Sequence, residues 1–185
     1  MEVQIKSNNT WIMRSILTQR ATITYFEDDW NSMLEQGAVT SWYKLLMHNY
    51  ARPRAKLIFW LACHDRLATK SRLVKMGMLK DSKCSFCSNV ETIQHLFFEC
   101  EEMRKLWCTI LKWIQMDHAP NNWDEELSWI NKFGRGKGWK AALLKLAAAE
   151  TVYRAWALRN NRSFGTQCDS SFIAQDIIDK IVLRG

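Results

Sequence analysis

Apolar residues recur every three or four positions along most of the chain, a spacing that places them on one face of a helix. The pattern predicts helices at 10–20, 40–50, 54–64, 69–76, 101–116, 123–133, 139–160 and 170–182. The 185 residues include only two prolines and seven glycines. A sandwich or barrel of many short strands needs more turns than these residues supply. The sequence therefore predicts an all-α fold.

The predicted segments differ in how deeply they should be buried. The segment 54–64 is almost entirely apolar, so it should form a central, buried helix. Thr69 and Gly77 flank the next segment as a candidate N-cap and a candidate C-terminal stop signal. Alanines favour a long helix over 139–160. Residues 134–138, GRGKG, lack the spacing of a phosphate loop and a preceding strand, so a hinge is favoured over an incidental phosphate contact.

Four residues in the middle of the chain have the spacing of a zinc site. Cys84, Cys87, His95 and Cys100 form the pattern C-x2-C-x7-H-x4-C. Zinc prefers four tetrahedral sulfur or nitrogen ligands, and two cysteines separated by two residues can bind one side of the ion. Because side chains supply all four ligands, no position is open for water and the site should be structural. Unless the spacing is a coincidence among six cysteines and four histidines, it predicts a small CCHC knuckle between helices that binds Zn²⁺.

Basic residues are concentrated in two blocks on either side of an acidic middle. The net charge is +8 for residues 44–83, −5 for 84–130 and +6 for 131–185. A basic block on a folded domain attracts phosphate backbones, whereas the alternative is a solvated helix face. The candidate phosphate contacts in the first block are Lys44, Arg52, Arg54, Lys56, Arg66, Lys70, Arg72 and Lys75.

Ten tryptophans are an unusual number for a chain of this length. Five of them fall on apolar helical stripes, where packing in the core is the ordinary role, namely Trp42, Trp60, Trp107, Trp113 and Trp156. Trp123, Trp129 and Trp139 flank predicted loops instead. They are the better candidates for stacking on unpaired bases.

No catalytic constellation is recognisable in the sequence. Residues 26–29 match F-x-D-D, the pattern of a polymerase metal hairpin, but such a site needs a further carboxylate on a separate strand. We therefore interpret Asp28 and Asp29 as a helix cap or as exposed acids. No serine or cysteine is paired with a histidine and a carboxylate in a recognisable local motif. We expect no enzymatic activity from this chain.

Residues 42–107 resemble the zinc-binding domain that follows the reverse transcriptase in plant LINE-type (non-LTR) retrotransposons. The residues that carry the resemblance are Trp42, Pro53, Lys56, Phe59, Trp60, Arg66, Leu67, Thr69, Cys84, Cys87, the run 91–100 and Trp107. Downstream, residues 153–164 resemble the trailing I-W-x-E-R-N-x-R-x-F motif of the family. Ala68 and Leu158 depart from the pattern, where the family has proline and glutamate, and neither is a candidate zinc ligand.

The resemblance implies a zinc-binding module that helps a reverse transcriptase to hold its RNA template or its DNA target. It does not imply polymerisation, since the sequence contains neither the polymerase nor the endonuclease of full-length elements. We expect an N-terminal extension at 1–39, a reverse-transcriptase-associated zinc-binding domain at 40–117 and a C-terminal helical region at 118–185.

Two functions of different classes remain open. The first is a module that binds RNA or DNA by its phosphates, with low sequence specificity. The second is a helical adaptor that docks on a protein partner and whose zinc site is purely structural. Basic residues that share one face would favour the first. Basic residues that scatter over the surface, or that pair with the acids of 99–102 and 124–126, would favour the second. Without an apolar run of 18 residues or a signal peptide, we expect an intracellular protein of the nucleus or cytoplasm that does not bind a membrane.

Overall fold

The computed structural model describes residues 42, 45, 46, 49–163 and 172–183, which all lie in a compact unit spanning Ser41–Gly185. Its elements are α1 (Pro53–Cys63), α2 (Lys70–Lys75), a π-helical turn (His95–Glu99), α3 (Glu101–Trp113), α4 (Trp123–Gly134), α5 (Trp139–Ser163) and α6 (Ile173–Val182). Within these residues β pairing is limited to one isolated bridge, between Lys83 and Val90. The prediction of an all-α fold is confirmed.

Several predictions fall on residues that the structure does not describe. They concern the helix at 10–20, the acids Asp28 and Asp29, and the candidate phosphate contact Lys44. The predicted helix 40–50 is described in part, and its Leu45 and Leu46 are helical and buried. The predictions for 10–20, Asp28, Asp29 and Lys44 therefore remain predictions.

The long helix α5 is the centre of the described unit. Helices α1, α4 and α6 all pack against it. Ala147, Ala148 and Ala149 are buried in the middle of α5, where their small side chains allow close approach of neighbouring helices. Six of the eleven residues of α1 are buried, which confirms the predicted central helix. Its apolar character on every side follows from contact with the core.

Aromatic residues fill the core beneath the π-helical turn. The rings of Phe97 and Phe98 both lie 5.4 Å from the ring of Trp123, and Phe98 lies 5.9 Å from Trp107. Trp123 is only 4% exposed. Its predicted availability for base stacking is therefore wrong, because the start of α4 turns inward and adds this ring to the core.

The prediction for the C-terminal end of α2 is confirmed, and the prediction for its N-terminal end is corrected. Gly77 has a φ of +71°, a backbone conformation that favours glycine, so the C-terminal stop signal is confirmed. Thr69 occupies the N-cap position but its side chain makes no cap hydrogen bond. Instead, the backbone N–H of Lys70 donates to Glu91 Oε1 at 2.8 Å, and that of Ser71 donates to the Glu91 carbonyl at 3.2 Å. A residue 21 positions away in the sequence thus caps α2.

None of the described helices combines the length and the apolar character that crossing a bilayer requires.

Candidate metal centre

The structure brings the four predicted zinc ligands together. One ligand atom from each of Cys84, Cys87, His95 and Cys100 lies within 4.8 Å of the other three. Cys84 Sγ is 4.0 Å from Cys100 Sγ, and Cys87 Sγ is 3.0 Å from His95 Nε2. Zinc–sulfur bonds of about 2.3 Å would place two sulfur atoms about 3.8 Å apart in a regular tetrahedron. The sulfur–sulfur separation fits two ligands of one tetrahedral ion, whereas the sulfur–nitrogen separation is that of a hydrogen bond. The donor set of three sulfur atoms and one imidazole nitrogen suits zinc.

The first two ligands are held by a short loop that closes on itself. The bridge between Lys83 and Val90 pairs the two arms of this loop, and the N–H of Cys84 donates to the Asn89 carbonyl at 2.8 Å. At its tip, the N–H of Phe86 points to Cys84 Sγ at 3.4 Å. Such an N–H stabilises a thiolate, because it places a partial positive charge beside the sulfur. The loop therefore orients Cys84 and Cys87 and favours the charge that metal binding requires.

The other two ligands belong to the π-helical turn. The N–H of Cys100 donates to the His95 carbonyl at 2.6 Å, which closes a turn of five residues and brings both side chains to the metal centre. Thr92 Oγ1 accepts a hydrogen bond from the N–H of His95 at 3.1 Å and so fixes the start of the turn. We did not predict the role of Thr92, although the spacing T-x2-H of a capping residue was readable in the sequence.

A hydrogen bond couples the ionisation of Cys84 to that of Cys100. A hydrogen bond from Cys100 lowers the pKa of Cys84 to about 5, against the opposing effect of burial and with help from the N–H groups of Phe86 and Cys87. The same hydrogen bond, together with burial, raises the pKa of Cys100. A divalent metal ion between the two sulfurs would stabilise both thiolates, because its positive charge opposes their mutual repulsion.

The C-terminal end of α5 contacts the knuckle (residues 84–100) at three points. Arg159 donates to Glu91 Oε1 from Nη2 at 2.6 Å and from Nε at 2.9 Å. The guanidinium of Arg162 lies over the Phe86 ring, 4.6 Å from its centre. Ser163 Oγ lies 3.0 Å from Ser85 Oγ. We refer to Arg159, Arg162 and Ser163 as the knuckle-contact residues.

Glu91 connects α5 to α2, because its side chain binds residues of both helices. Its side chain is fully buried and that of Arg159 is 4% exposed, so the two form a buried ion pair. The same oxygen, Oε1, also accepts the hydrogen bond from the N–H of Lys70. Three N–H donors therefore converge on one carboxylate oxygen, from α5 and from α2. Glu91 and Arg159 lie in two motifs that are recognisable in the sequence, but 68 residues separate them and no local signal predicts their pairing.

Some of the candidate phosphate contacts are bound by other groups of the protein or partly buried, and others are exposed. Arg52 binds the buried carboxylate of Glu150 at 2.5 and 3.1 Å and lies over the Tyr153 ring, so it is not available to a phosphate. Arg72 donates from its guanidinium to the Asp65 carbonyl. Lys56 is half-buried, and burial lowers its pKa.

The remaining described candidates are more accessible. Arg54 and Lys75 are exposed, and Lys70 is half-buried. Arg66 is also exposed, with its guanidinium 5.5 Å from the centre of the Trp60 ring. Arg66 follows Asp65 directly, so the bond from Arg72 to Asp65 places these two arginines at the same corner between α1 and α2.

The acidic segments named above have other partners. Glu101 and Glu102 lie 2.8 and 3.5 Å from Lys105 in the same helix. Glu126 is buried. Its Oε1 accepts a hydrogen bond from Trp107 Nε1 at 2.7 Å, and its Oε2 lies 2.9 Å from His118 Nε2. Within the described part of the chain, no ion pair links the acids of 99–102 or 124–126 to the basic block.

Comparison with known protein families supports the assignment of this cluster as a metal site. Residues 26–107 match the family model described as zinc-binding in reverse transcriptase. The matched range includes all four residues of the metal cluster. Searches among curated proteins and among solved structures found no significant match. The match supports a reverse-transcriptase-associated zinc-binding domain in this chain, and the cluster is where a metal ion could bind.

Proposed function

We propose that this chain is a zinc-binding module that holds nucleic acid by its phosphates and has no catalytic activity of its own. The observation that carries the proposal is the cluster of Cys84, Cys87, His95 and Cys100 inside the range that matches a zinc-binding family. We further propose that the module has its origin in the polyprotein of a plant LINE-type retrotransposon, as the motif order suggests.

Zinc would have a structural role in this module. Four protein ligands complete a tetrahedral shell and leave no position for a reacting water. The ligands come from two pieces of chain, the loop with Cys84 and Cys87 and the turn with His95 and Cys100. A shared ion would therefore fix the distance between these pieces.

Glu91 links that metal centre to the basic block. It lies between the two ligand pairs in the sequence and accepts the N–H of Lys70 at the start of α2. Ordering of the knuckle by zinc therefore supports the N-terminus of α2, the helix that carries Lys70, Arg72 and Lys75. The metal would act on nucleic-acid binding indirectly, through the presentation of these side chains.

The charge of the block supports phosphates as the ligand. Residues 44–83 carry ten bases and two acids. Arg54, Arg66 and Lys75 are the exposed candidates among the described residues. Phosphate contacts carry no sequence information, so we expect similar affinity for unrelated sequences of equal length.

Salt-dependent binding of the purified, zinc-loaded chain tests this proposal. Replacement of Arg54, Arg66 and Lys75 by glutamine should weaken binding to all sequences alike. If the three bases each touch one phosphate of a single strand, the plot of log affinity against log salt should lose about 2 units of slope.

A variant with the same loss of charge elsewhere provides the control. Lys105, Lys112 and Lys180 lie on α3 and α6, outside the basic block, and can also be replaced by glutamine. A similar loss of affinity in both triple variants would mean that only the total charge matters, and would contradict a binding surface at the block.

A protein-interaction adaptor is the second candidate. It is favoured by four exposed apolar side chains, of which Met76, Met78 and Leu79 follow α2 and Val90 lies in the knuckle. An adaptor that uses this surface would show a salt slope near zero and no response to the loss of Arg54, Arg66 and Lys75. Replacement of Met76 and Met78 by serine would then leave oligonucleotide binding unchanged but abolish binding to the protein partner.

The proposed lack of catalysis has its own test. Primer extension and nuclease assays with the metal-loaded chain should give no product. Product formation that disappears in the Asp28→Ala and Asp29→Ala variants would contradict the proposal and would restore the polymerase interpretation of F-x-D-D.

A further inference from the structure

The junction between α4 and α5 exposes aromatic and basic side chains together. Trp139 is 68% exposed and Phe133 is 47% exposed, although both are large and apolar. Four bases accompany them within nine residues, and no acid does. The surface, which we call the turn patch, consists of Lys132, Phe133, Arg135, Lys137, Trp139 and Lys140.

The backbone under the turn patch is well supported. Gly134 is buried, and a Cβ atom at this position would lie 3.1 Å from Lys145 Cγ, so the end of α4 packs closely on α5. The N–H groups of Ala141 and Ala142 both donate to the Gly138 carbonyl, which begins α5 directly after the turn. Phe133 and Trp139 thus project from the ends of two helices rather than from a long loop.

The row of aromatic rings continues along α4. Phe133 lies 5.1 Å from Trp129, and Trp129 lies parallel to the His118 ring at 3.7 Å with an angle of 5°. A base stacks on an aromatic ring at a similar separation and angle. The row therefore runs from the half-buried His118 ring through Trp129 to Phe133, which is exposed.

The charges of the turn patch suit a phosphate backbone. Lys132 lies 5.6 Å from the centre of the Phe133 ring, and Lys140 lies 5.6 Å from that of Trp139. The acids of α4, Asp124, Glu125 and Glu126, are all in its first turn, at the opposite end of the helix. Each exposed ring thus has a cation beside it without a neutralising carboxylate from the same segment.

We infer that the turn patch binds single-stranded nucleic acid. Nucleobases would stack on Trp139 and Phe133, and the neighbouring lysine and arginine side chains would bind the phosphates. A duplex hides the faces of its bases, so exposed rings favour an unpaired strand. The inference deepens the proposed function, on which it rests for the class of ligand. It uses different residues from the basic block 44–83, so the two can fail separately.

The test compares the full zinc-loaded chain with its Trp139→Ala variant, using a labelled 20-nucleotide single strand and the matched duplex. Loss of one stacking ring should weaken binding to the single strand by about tenfold and leave duplex affinity within about twofold. Trp139→Phe should restore most of the loss, because any aromatic face can stack on a base. Lys137→Gln should reduce the salt slope for the single strand by about 0.7 if it binds one phosphate.

Phe172→Ala is the matched control. Phe172 is 70% exposed, but it lines a shallow surface pocket in which Arg154 is paired with Asp176. This variant should bind both ligands as the parent does. Equal loss of single-strand and duplex binding in Trp139→Ala would overturn the inference, as would unchanged binding, which is the result expected if the turn patch docks a protein.

The outcome can be separated from that of the proposed function. Loss of single-strand binding in Trp139→Ala, with no effect of the Arg54, Arg66 and Lys75 changes, would support the turn patch and reject the basic block. The reverse result would support the block and overturn the turn patch.

Discussion

The two ends of α5 use the same kinds of side chain for opposite purposes. At the C-terminal end, Arg159 and Arg162 lie 4.8 and 4.6 Å from aromatic rings and contact the knuckle. At the N-terminal end, Lys140 lies 5.6 Å from the ring of Trp139, which is 68% exposed. Pairs of a cation and an aromatic ring thus stabilise the fold at one end and face solvent at the other.

A buried carboxylate accounts for the difference. Arg159 is buried because Glu91 compensates its charge, and Arg52 is held in the same way by Glu150. Segment 132–140 contains no acid that could do this for its four bases. The number of bases in a block is therefore a poor guide to a nucleic-acid surface, and the carboxylates that each base meets must be known as well.

The largest effect should follow loss of the metal, and it should be confined to the knuckle end of α5. Cys100→Ser removes one sulfur ligand, so bound zinc should fall well below one ion per chain. Structural zinc contributes about 10–16 kcal/mol in small peptides, an upper limit for a site that is also supported by a core. Amide hydrogen exchange should become much faster in 84–100. It should also become faster at Lys70 and Ser71, whose N–H groups donate hydrogen bonds to Glu91.

The control for this experiment is Cys108→Ser, at a half-buried cysteine outside the cluster. It should retain zinc and the exchange pattern of the parent. Full zinc retention by Cys100→Ser would show that the ligand set is wrong. Faster exchange in 134–142 as well would show that the two ends of α5 are not independent.

The next largest effect is expected from the buried ion pair. Arg159→Met leaves the carboxylate of Glu91 buried without its charge partner and should cost about 3–5 kcal/mol of unfolding free energy. Lys140→Met, at the exposed end of the same helix, should change it by less than about 0.5 kcal/mol. Urea denaturation of both variants measures the difference.

Addition of Glu91→Gln to the Arg159→Met variant should recover part of the loss, because it removes the uncompensated charge. Equal costs for Arg159→Met and Lys140→Met would contradict the distinction drawn between the two ends.

A smaller effect is expected at the contact between serines. Ser163→Ala removes the partner of Ser85 Oγ and should destabilise the chain by about 0.5–1.5 kcal/mol. Thr109→Ala serves as the control, since its exposed hydroxyl donates to the Lys105 carbonyl of its own helix. The same urea experiment detects the difference, and a cost at Thr109 equal to that at Ser163 would argue against a contribution of α5 to knuckle stability.

The smallest effect on stability should come from Trp139→Ala. With most of its surface in solvent, this ring should contribute less than about 0.5 kcal/mol. Trp156→Ala in the same helix should cost about 3–5 kcal/mol, because Trp156 is 6% exposed. Thermal unfolding compares the two, and a large loss for Trp139→Ala would mean that it packs in the fold and is not available to a ligand.

Local pattern was enough to predict much of this molecule. The periodicity predicted each described α-helix to within a few residues, because apolar spacing depends only on near neighbours. The four members of the metal cluster were found in the same way, since C-x2-C and H-x4-C are short-range spacings. Gly77 was readable because its φ of +71° suits glycine.

What pattern could not predict depends on contacts between distant segments. The carboxylate of Glu91 caps α2 in place of Thr69, and its pairing with Arg159 has no local signal. Trp123 and Trp139 both flank a loop, yet one is 4% and the other 68% exposed. The direction in which each helix leaves its loop produces that difference, and it is set by the whole core.

The length of α5 has a consequence for the size of a ligand. Its 25 residues span about 37 Å, which is close to one turn of B-form DNA. A rigid rod of this length keeps Trp139 and the knuckle at a constant separation. If the turn patch and the basic residues of α2, which Glu91 connects to the knuckle, both bind nucleic acid as proposed, a strand too short to span α5 can occupy only one surface. Affinity should then rise in a single step once an oligonucleotide reaches across the helix. The length of α5 would then set the minimum length of an oligonucleotide that binds with full affinity.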